Sequence, residues 1–343
     1  MKIFLPLMNG TILLLCLIKG ISDGEHLLSF LLFCLLSVVM LVPLFLKKAP
    51  SGNSGRKRMF KKFKRNKSAL FGLCVLLLIL YLAILAPFVA PYDPDQIDYA
   101  AFAAKPNAQH WFGTDAVGRD VFDRVIVGTR ISFLVGFSVT AISSVVGITI
   151  GLIAGYNRIL DNVLMRVVDA FLAFPTILLA LALIALFGPG LVNVILALSV
   201  TGAASKVRLV RSQVLSLRES TYVEAARVAG AHPLRIIVTH ILPNTLGVVI
   251  VLATFTLASA MLAEAGLSFL GAGVPSYIPS WGNIIANGEP HVQVAPWISL
   301  FPGVFLTLSV LGVVLIGDAL RDFLDPKLRG QLESTQGSTG QPG

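Results

Sequence analysis

The amino-acid sequence predicts an all-α integral membrane protein. Of its 343 residues, 55% are hydrophobic and only 13% are charged, whereas roughly a quarter of the residues in a soluble domain are charged. The mean hydropathy is +0.82. Several apolar runs approach or exceed the roughly 20 residues that cross a bilayer as a helix. These runs are apolar throughout, which favours helices over strands with alternating faces.

The apolar runs define eight candidate spans, each of which must be helical because lipid offers no partners to backbone N–H and C=O groups. They cover residues 3–19, 27–46, 69–90, 131–155, 163–187, 191–213, 244–267 and 297–320. The first two form an N-terminal hairpin, and the other six form a core. Residues 5–18 also fit the apolar region of a signal peptide, but no clear small-residue cleavage site follows them.

A strongly basic segment at 47–68 joins the hairpin to the core. A basic segment beside a span stays on the cytoplasmic side, where it would also attract anionic lipid headgroups. Nucleic-acid binding is the alternative for such a segment, and the flanking spans argue against it. With this segment inside, the acidic loop 91–127 is outside and the basic loop 213–240 is inside. The Lys and Arg residues that give the net charge of +9 lie in short loops, where they set the orientation of the chain, and both chain termini are predicted to be cytoplasmic.

The loop at 213–243 has the clearest local pattern. Its first helix is predicted to begin with Thr221 as N-cap, with Glu224 completing a capping box. Gly230 suits the left-handed residue that ends this helix, and Pro233 suits the first turn of a second helix. Capping alone explains these residues. A rigid elbow with a flat alanine face, however, also fits docking into a groove on another protein.

The same loop resembles the EAA loop of binding-protein-dependent ABC importer permeases. The resemblance lies in the run EAA at 224–226, then Gly230, then ILP at 241–243. In that family the loop forms coupling helices that sit in a cleft of an ATPase subunit. The resemblance implies that the ATPase-docking residues here are Glu224, Ala225, Ala226, Gly230, Ile241 and Pro243.

Further motifs resemble the C-type membrane subunit of dipeptide and oligopeptide permeases, and the match covers about residues 57–330. In chain order they are HWFGTD at 110–115, GRDV at 118–121, GY at 155–156, MR at 165–166, AFP at 173–175, LSFLG at 267–271, PSWG at 279–282 and GDALRD at 317–322. The sequence departs from the family in two places. The N-terminal hairpin is extra, and AASK stands at 203–206 where the family often has an Ala-Arg pair.

The resemblance implies a six-span ABC importer permease core plus the extra two-span hairpin. The expected organisation is a hairpin at 1–46, a cytoplasmic linker at 47–68, a first core span with its external loop at 69–130, a core permease domain at 131–330 and a disordered tail at 331–343.

The implied function is that of a permease subunit that moves di- or oligopeptides across the cytoplasmic membrane by alternating access. The implied partners are a second permease subunit, two ATPase subunits and an extracytoplasmic solute-binding protein. The sequence contains no G-x-x-x-x-G-K-[ST] phosphate loop. The chain is therefore predicted not to be an enzyme, and ATP and Mg²⁺ are expected on the ATPase partners, with no cofactor on this chain.

Three alternatives involve a different solute or a different class of membrane protein. A permease for a nickel chelate or another small solute of the same superfamily would share the elbow. A self-contained secondary transporter predicts charged coupling residues at mid-membrane and inverted repeats, which the sequence does not show. A membrane scaffold or sensor would not need the elbow.

Two acidic residues lie in or beside predicted spans, where carboxylates are functional candidates. Asp169 follows Arg166 by three residues, which favours a structural ion pair within one helix. Glu264 has no cation nearby in sequence, so it either supports an outer gate or hydrogen-bonds a neighbouring helix. The histidines do not cluster, and no disulfide or metal site is predicted from the three cysteines, Cys16, Cys34 and Cys74.

Overall fold

A computed structural model describes residues 66–89 and 94–324, and within these ranges the regular elements are helices. A single isolated bridge joins Thr114 to Asp120. The predicted hairpin at 1–46, nearly all of the linker and the tail at 331–343 lie outside the described residues.

The helices, labelled here in chain order, include four that are long and apolar enough to cross a membrane individually. These four are α2, α5, α8 with the turns that precede it, and α10. The bounds are α1 Lys67–Val89, α2 Val121–Tyr156, α3 Arg158–Leu172, α4 Thr176–Phe187, α5 Leu191–Arg218, α6 Thr221–Val228, α7 Pro233–Ile236, a π-helical turn Ile237–Ile241, α8 Leu242–Phe269, α9 Trp281–Gly288, a 3₁₀ turn Glu289–His291 and α10 Trp297–Leu324.

Five of the predicted core spans correspond to α1, α2, α5, α8 and α10. The sixth, at 163–187, was predicted as one helix, and this is wrong. The chain forms α3 and α4 instead, which meet at an angle of 94°. Pro175 causes the break, because it lacks a backbone N–H and disfavours helical geometry at Phe174. Pro175 itself is extended, with ψ of 133°.

α2 and α5 pack closely because α2 has a glycine at every fourth position along their contact. A Cβ atom added at Gly151 would lie 2.7 Å from the Cβ of Val210, nearer than side-chain atoms approach one another. Small residues at such positions let two backbones come together in a membrane. The two flanking pairs, each at 2.6 Å, are Gly147 with Lys206 and Gly155 with Val214.

Buried apolar clusters at the two ends of α2 hold α9, α10 and the segment that joins α5 to α8. At the start of the helix, Val121 and Val125 pack with Trp281 of α9 and Trp297 of α10. At the other end, Leu152 packs with residues of α5 and of the segment that joins α5 to α8. The fold therefore presents one group of loops and short helices at each end of the bundle.

Replacing Gly151 with alanine should destabilise the bundle by about 1–3 kcal/mol, because an extra methyl group in a filled contact forces the helices apart. Gly266→Ala on α8 is the matched control, since no atom lies within 4 Å of its added Cβ. The apparent Tm of the purified protein in detergent measures both. Equal Tm values for the two variants would contradict the tight α2–α5 contact.

Candidate functional site

The segment 220–243 forms the predicted elbow, but its first helix is capped differently. Ser220, not Thr221, is the N-cap of α6. The Ser220 carbonyl accepts hydrogen bonds from the N–H groups of Val223 and Glu224 at 3.0 and 3.1 Å. Its hydroxyl donates to the Leu217 carbonyl, so no side chain caps the helix and the predicted capping box is absent.

Gly230 forms the turn of the elbow, as predicted. Its φ of +79° lies in the left-handed region. The N–H of Gly230 donates to the Arg227 carbonyl at 3.0 Å, and the N–H of Ala231 donates to the Ala226 carbonyl at 3.1 Å. This pair of bonds is the Schellman arrangement that ends a helix. A Cβ at Gly230 would meet nothing within 4 Å, so backbone conformation alone requires glycine here.

The second half of the elbow continues directly into α8. Pro233 lies in the first turn of α7, and Nδ1 of His232 accepts a hydrogen bond from the N–H of Leu234 at 3.3 Å. Pro243 does not interrupt the helical structure. It lies in the first turn of α8, and the π-helical turn before it accommodates the missing N–H.

Three apolar side chains anchor the elbow to the bundle. Val223 of α6, Ile236 of α7 and Ile241 of the π-helical turn are all at most 1% exposed, and they belong to the apolar cluster that contains Leu152. The burial of Ile241 corrects its place among the predicted docking residues. Ile241 cannot touch another protein in this conformation, and it positions the elbow instead.

The outward face of the elbow carries the remaining predicted residues. Glu224, Ala225, Gly230 and Pro243 are exposed, and Ala226 is half-buried. The elbow also exposes apolar side chains that the sequence reasoning missed. These are Tyr222, Val228, Leu234 and Val238, with Val228 84% exposed. Exposed apolar groups beside charged ones are typical of surfaces that bind another protein.

Glu264 lies at the far end of α8 from the elbow and is fully buried. Its Oε1 accepts hydrogen bonds from the hydroxyls of Ser268 at 2.8 Å and Ser280 at 2.9 Å. Its Oε2 is buried and has no hydrogen-bond partner among the described residues. Because Ser280 is the N-cap of α9, Glu264 fastens the start of α9 to α8. Of the two roles left open by the sequence, a bond to a neighbouring element is observed.

Trp281 of the PSWG motif and Asn283, the residue that follows the motif, make the other contacts that attach α9. Trp281 is fully buried, and its backbone N–H donates to the Ser132 hydroxyl at 3.2 Å. Its indole Nε1 donates to the Val125 carbonyl at 3.1 Å. Asn283 donates to three carbonyls of the preceding loop. The motif therefore holds α9 against α2.

The HWFGTD motif folds the long loop onto α10. Trp297 Nε1 donates to the Thr114 carbonyl at 3.1 Å. Gly113 has a φ of +74°, and a Cβ there would lie 2.7 Å from that same Trp297 Nε1. Nδ1 of His110 lies 2.7 Å from Oδ2 of Asp120. The contacts of this motif hold the loop against α10 and so have a structural role.

Asp169 has a different partner from the one predicted. It binds Arg208 of α5 at 2.6 Å, not Arg166, and both side chains are 55% exposed, so the pair contributes little stability. A second pair on the same two helices is bidentate, with Asp161 oxygens 2.5 and 2.7 Å from Arg211. The partners are 39 and 50 residues apart in sequence, so no local pattern indicates these pairs.

Within the described residues, no group of three or more His, Cys, Asp and Glu side chains is arranged to hold a metal ion. A rigid elbow lies at one end of the bundle, and a hydrogen-bonded helix lies at the other.

Comparisons with known proteins show the family of the chain. Residues 147–330 match the family described as binding-protein-dependent transport system inner membrane component. Residues 54–106 match the N-terminal transmembrane domain of oligopeptide transport permease C. A permease of the MetNI methionine ABC transporter in an inward-facing conformation aligns with a TM-score of 0.49 at 22% identity, over 58% of this chain and 96% of that one.

Two curated relatives are similar over most of both chains. A putative peptide transport system permease protein of Brucella abortus is 45% identical over 269 residues, which is 78% of this chain and 91% of the relative. The dipeptide transport system permease protein DppC of Alkalihalophilus pseudofirmus is 43% identical over 274 residues, 80% of this chain and 90% of the relative.

The fold and the elbow define a helical membrane permease. The chain belongs to the binding-protein-dependent inner-membrane components of ABC transporters, in the C-type group of peptide permeases. Members of this family are the membrane subunits of their transporters. The resemblance inferred from the EAA loop and the ordered motifs is thereby confirmed.

Replacing Glu264 with alanine should release α9, because the Ser268 and Ser280 hydroxyls would lose their buried acceptor, at a cost of about 1–3 kcal/mol. Glu264→Gln keeps an acceptor oxygen and should retain most of the attachment. Hydrogen exchange of the α9 amides measures the difference. Equal exchange in the alanine variant and the unaltered protein would show that Glu264 does not fasten this helix.

Proposed function

We propose that this chain is the C-type permease subunit of an ATP-driven importer of di- and oligopeptides, and that its elbow docks to a partner ATPase. The observation that carries the proposal is the elbow itself. Its turn is fixed by the Schellman bonds at Gly230, its inner face is anchored by Val223 and Ile236, and its outer face is exposed.

The geometry supports a mechanical role. Helical structure runs without a break from Pro233 to Phe269, so a displacement of the elbow is passed along α8. At the far end of α8, Glu264 is bonded to the N-cap of α9. ATP binding by a docked partner would then stabilise one arrangement of the helices, and hydrolysis would favour the other. Such differential stabilisation is what alternating access requires of a permease.

The proposed assembly contains a second permease subunit, two ATPase subunits and a solute-binding protein outside the cytoplasmic membrane. ATP and Mg²⁺ belong to the ATPase subunits. The elbow faces the cytoplasm, as the positive-inside rule indicates for a segment that exposes Arg227 and Arg235. α9 then lies on the outer side, where the binding protein delivers solute, and both chain termini are cytoplasmic.

Peptides are the proposed solutes because both curated relatives are named for peptide transport. A nickel chelate or another small solute remains the alternative within the superfamily. Import assays in proteoliposomes containing the complete transporter, with labelled di- and tripeptides, test the choice. Import of a metal chelate but of no peptide would overturn the peptide assignment without affecting the elbow.

Gly230→Val should weaken ATPase docking and lower peptide uptake, because a left-handed conformation costs a residue with a Cβ about 1–2 kcal/mol and valine is poorly suited to it. Gly230→Asn is the control, since asparagine adopts this conformation more readily. Affinity purification of the tagged complex measures the ATPase recovered with each variant. Full ATPase recovery and normal uptake with valine would contradict the docking assignment.

Glu224→Lys should uncouple ATP hydrolysis from uptake, because it reverses a charge on the exposed face of α6 without touching the buried anchor. Glu289→Lys makes the same change in an exposed residue at the opposite end of the bundle and should leave coupling intact. The measurement is the ratio of peptide imported to ATP hydrolysed. An unchanged ratio in the Glu224 variant would argue that α6 is not at the interface.

A further inference from the structure

Lys206 is a buried cation inside a membrane-spanning helix, and no carboxylate of the described residues is paired with it. Its side chain is 2% exposed. Its Nζ donates hydrogen bonds to Ser143 Oγ at 2.6 Å and to Ser144 Oγ at 3.1 Å. The two acidic side chains that face α5 from α3 already bind Arg208 and Arg211. In the part of the chain that the structure describes, hydroxyl groups are the partners of this ammonium group.

Such an arrangement is unfavourable for a residue with only a structural role. A buried charge is strongly destabilising unless an opposite charge compensates it. Methionine has similar length and no charge, and it would fill the same contact against Gly147 without that cost.

The ammonium group points toward the middle of the span. The Cβ of Lys206 lies against Gly147, but Ser143 and Ser144 lie one helical turn closer to the start of α2. Lysines in spans usually extend their charged group toward the nearer aqueous side. Here that side is the elbow end of α5 at Arg218, about 18 Å along the helix. Lys206 extends in the opposite direction.

Three helices meet beside this group. A Cβ added at Gly202 of α5 would lie 3.5 Å from the Cβ of Ser143 on α2 and 3.9 Å from Cγ2 of Thr256 on α8. These are ordinary contact distances, unlike the much closer α2–α5 contacts at the glycines. Because α8 continues from the elbow, a movement of the elbow would change the contact of α8 with the α2–α5 pair at this junction.

We propose that Lys206 is a specificity-determining residue whose ammonium group binds a carboxylate of the transported solute when this junction opens. The inference rests on the proposed function, since every unmodified peptide carries a carboxylate at its C-terminus. Ser143 and Ser144 hold the ammonium group while no solute is present. In secondary transporters the substrate site lies near the bilayer midplane, and Lys206 points toward that depth.

The test uses the complete transporter with its binding protein in proteoliposomes supplied with ATP. The probe is a tripeptide with a free C-terminal carboxylate and a diazirine on the side chain of its C-terminal residue. After illumination during import, mass spectrometry locates the label. We expect label within 140–150 or 199–210. Lys206→Met should reduce it at least about ten-fold, the effect of losing a buried hydrogen bond to a charged group. Lys206→Arg should retain most of it, because the charge is kept.

Two controls separate binding from a structural role. The double change Ser143→Ala and Ser144→Ala removes the hydroxyl partners but keeps the cation, so labelling should persist. A purely structural latch would instead make this variant behave like Lys206→Met. The Lys206→Met transporter should also have an equal or higher Tm, because an uncompensated charge is removed, and this excludes misfolding as the cause of lost label.

Import of the probe with unchanged labelling in Lys206→Met, or with label only in other segments, would overturn the inference and leave the proposed function intact. Failure of the unaltered transporter to import any peptide would instead overturn the proposed function, and this inference with it.

Discussion

The close contact between α2 and α5 is the constraint on which the rest of the structure depends. Gly147, Gly151 and Gly155 bring the two backbones together, and no larger residue fits at these positions. Only at this separation do the buried clusters at the two ends of α2 close around α9 and around the elbow. The pair is therefore the rigid frame against which the other helices are placed.

α8 is the element that links the two ends of this frame. At one end, α8 is continuous with the second half of the elbow. Near the other end, Glu264 accepts a hydrogen bond from Ser280, the N-cap of α9. Burial is uneven along this path. Ile236 and Ile241 are enclosed, whereas the residues at the α8 junction with Gly202 are in ordinary contact. We therefore expect α8 to move as a rigid helix between the elbow and α9, with little bending of its own.

The sequence predicted the fold class, five helical spans and the turn at Gly230 because these features depend on local composition and backbone preference. It failed where tertiary geometry decides. Thr221 and Ser220 are equally suitable caps, so one position was misassigned. Asp169 forms its ion pair with Arg208 of the neighbouring helix α5, and not with Arg166 on its own helix. Ile241 belonged to the resembling motif, but only packing showed that it is enclosed.

The bend at Pro175 affects how the newly made chain can lie in the membrane. α4 has 12 residues and rises about 18 Å, well short of the roughly 30 Å hydrocarbon layer. The irregular backbone at the break is exposed on the single chain, and lipid does not tolerate such backbone. Another protein surface or water must cover it. If a second permease covers it, as in the proposed assembly, a copy made alone would leave this backbone exposed within the membrane.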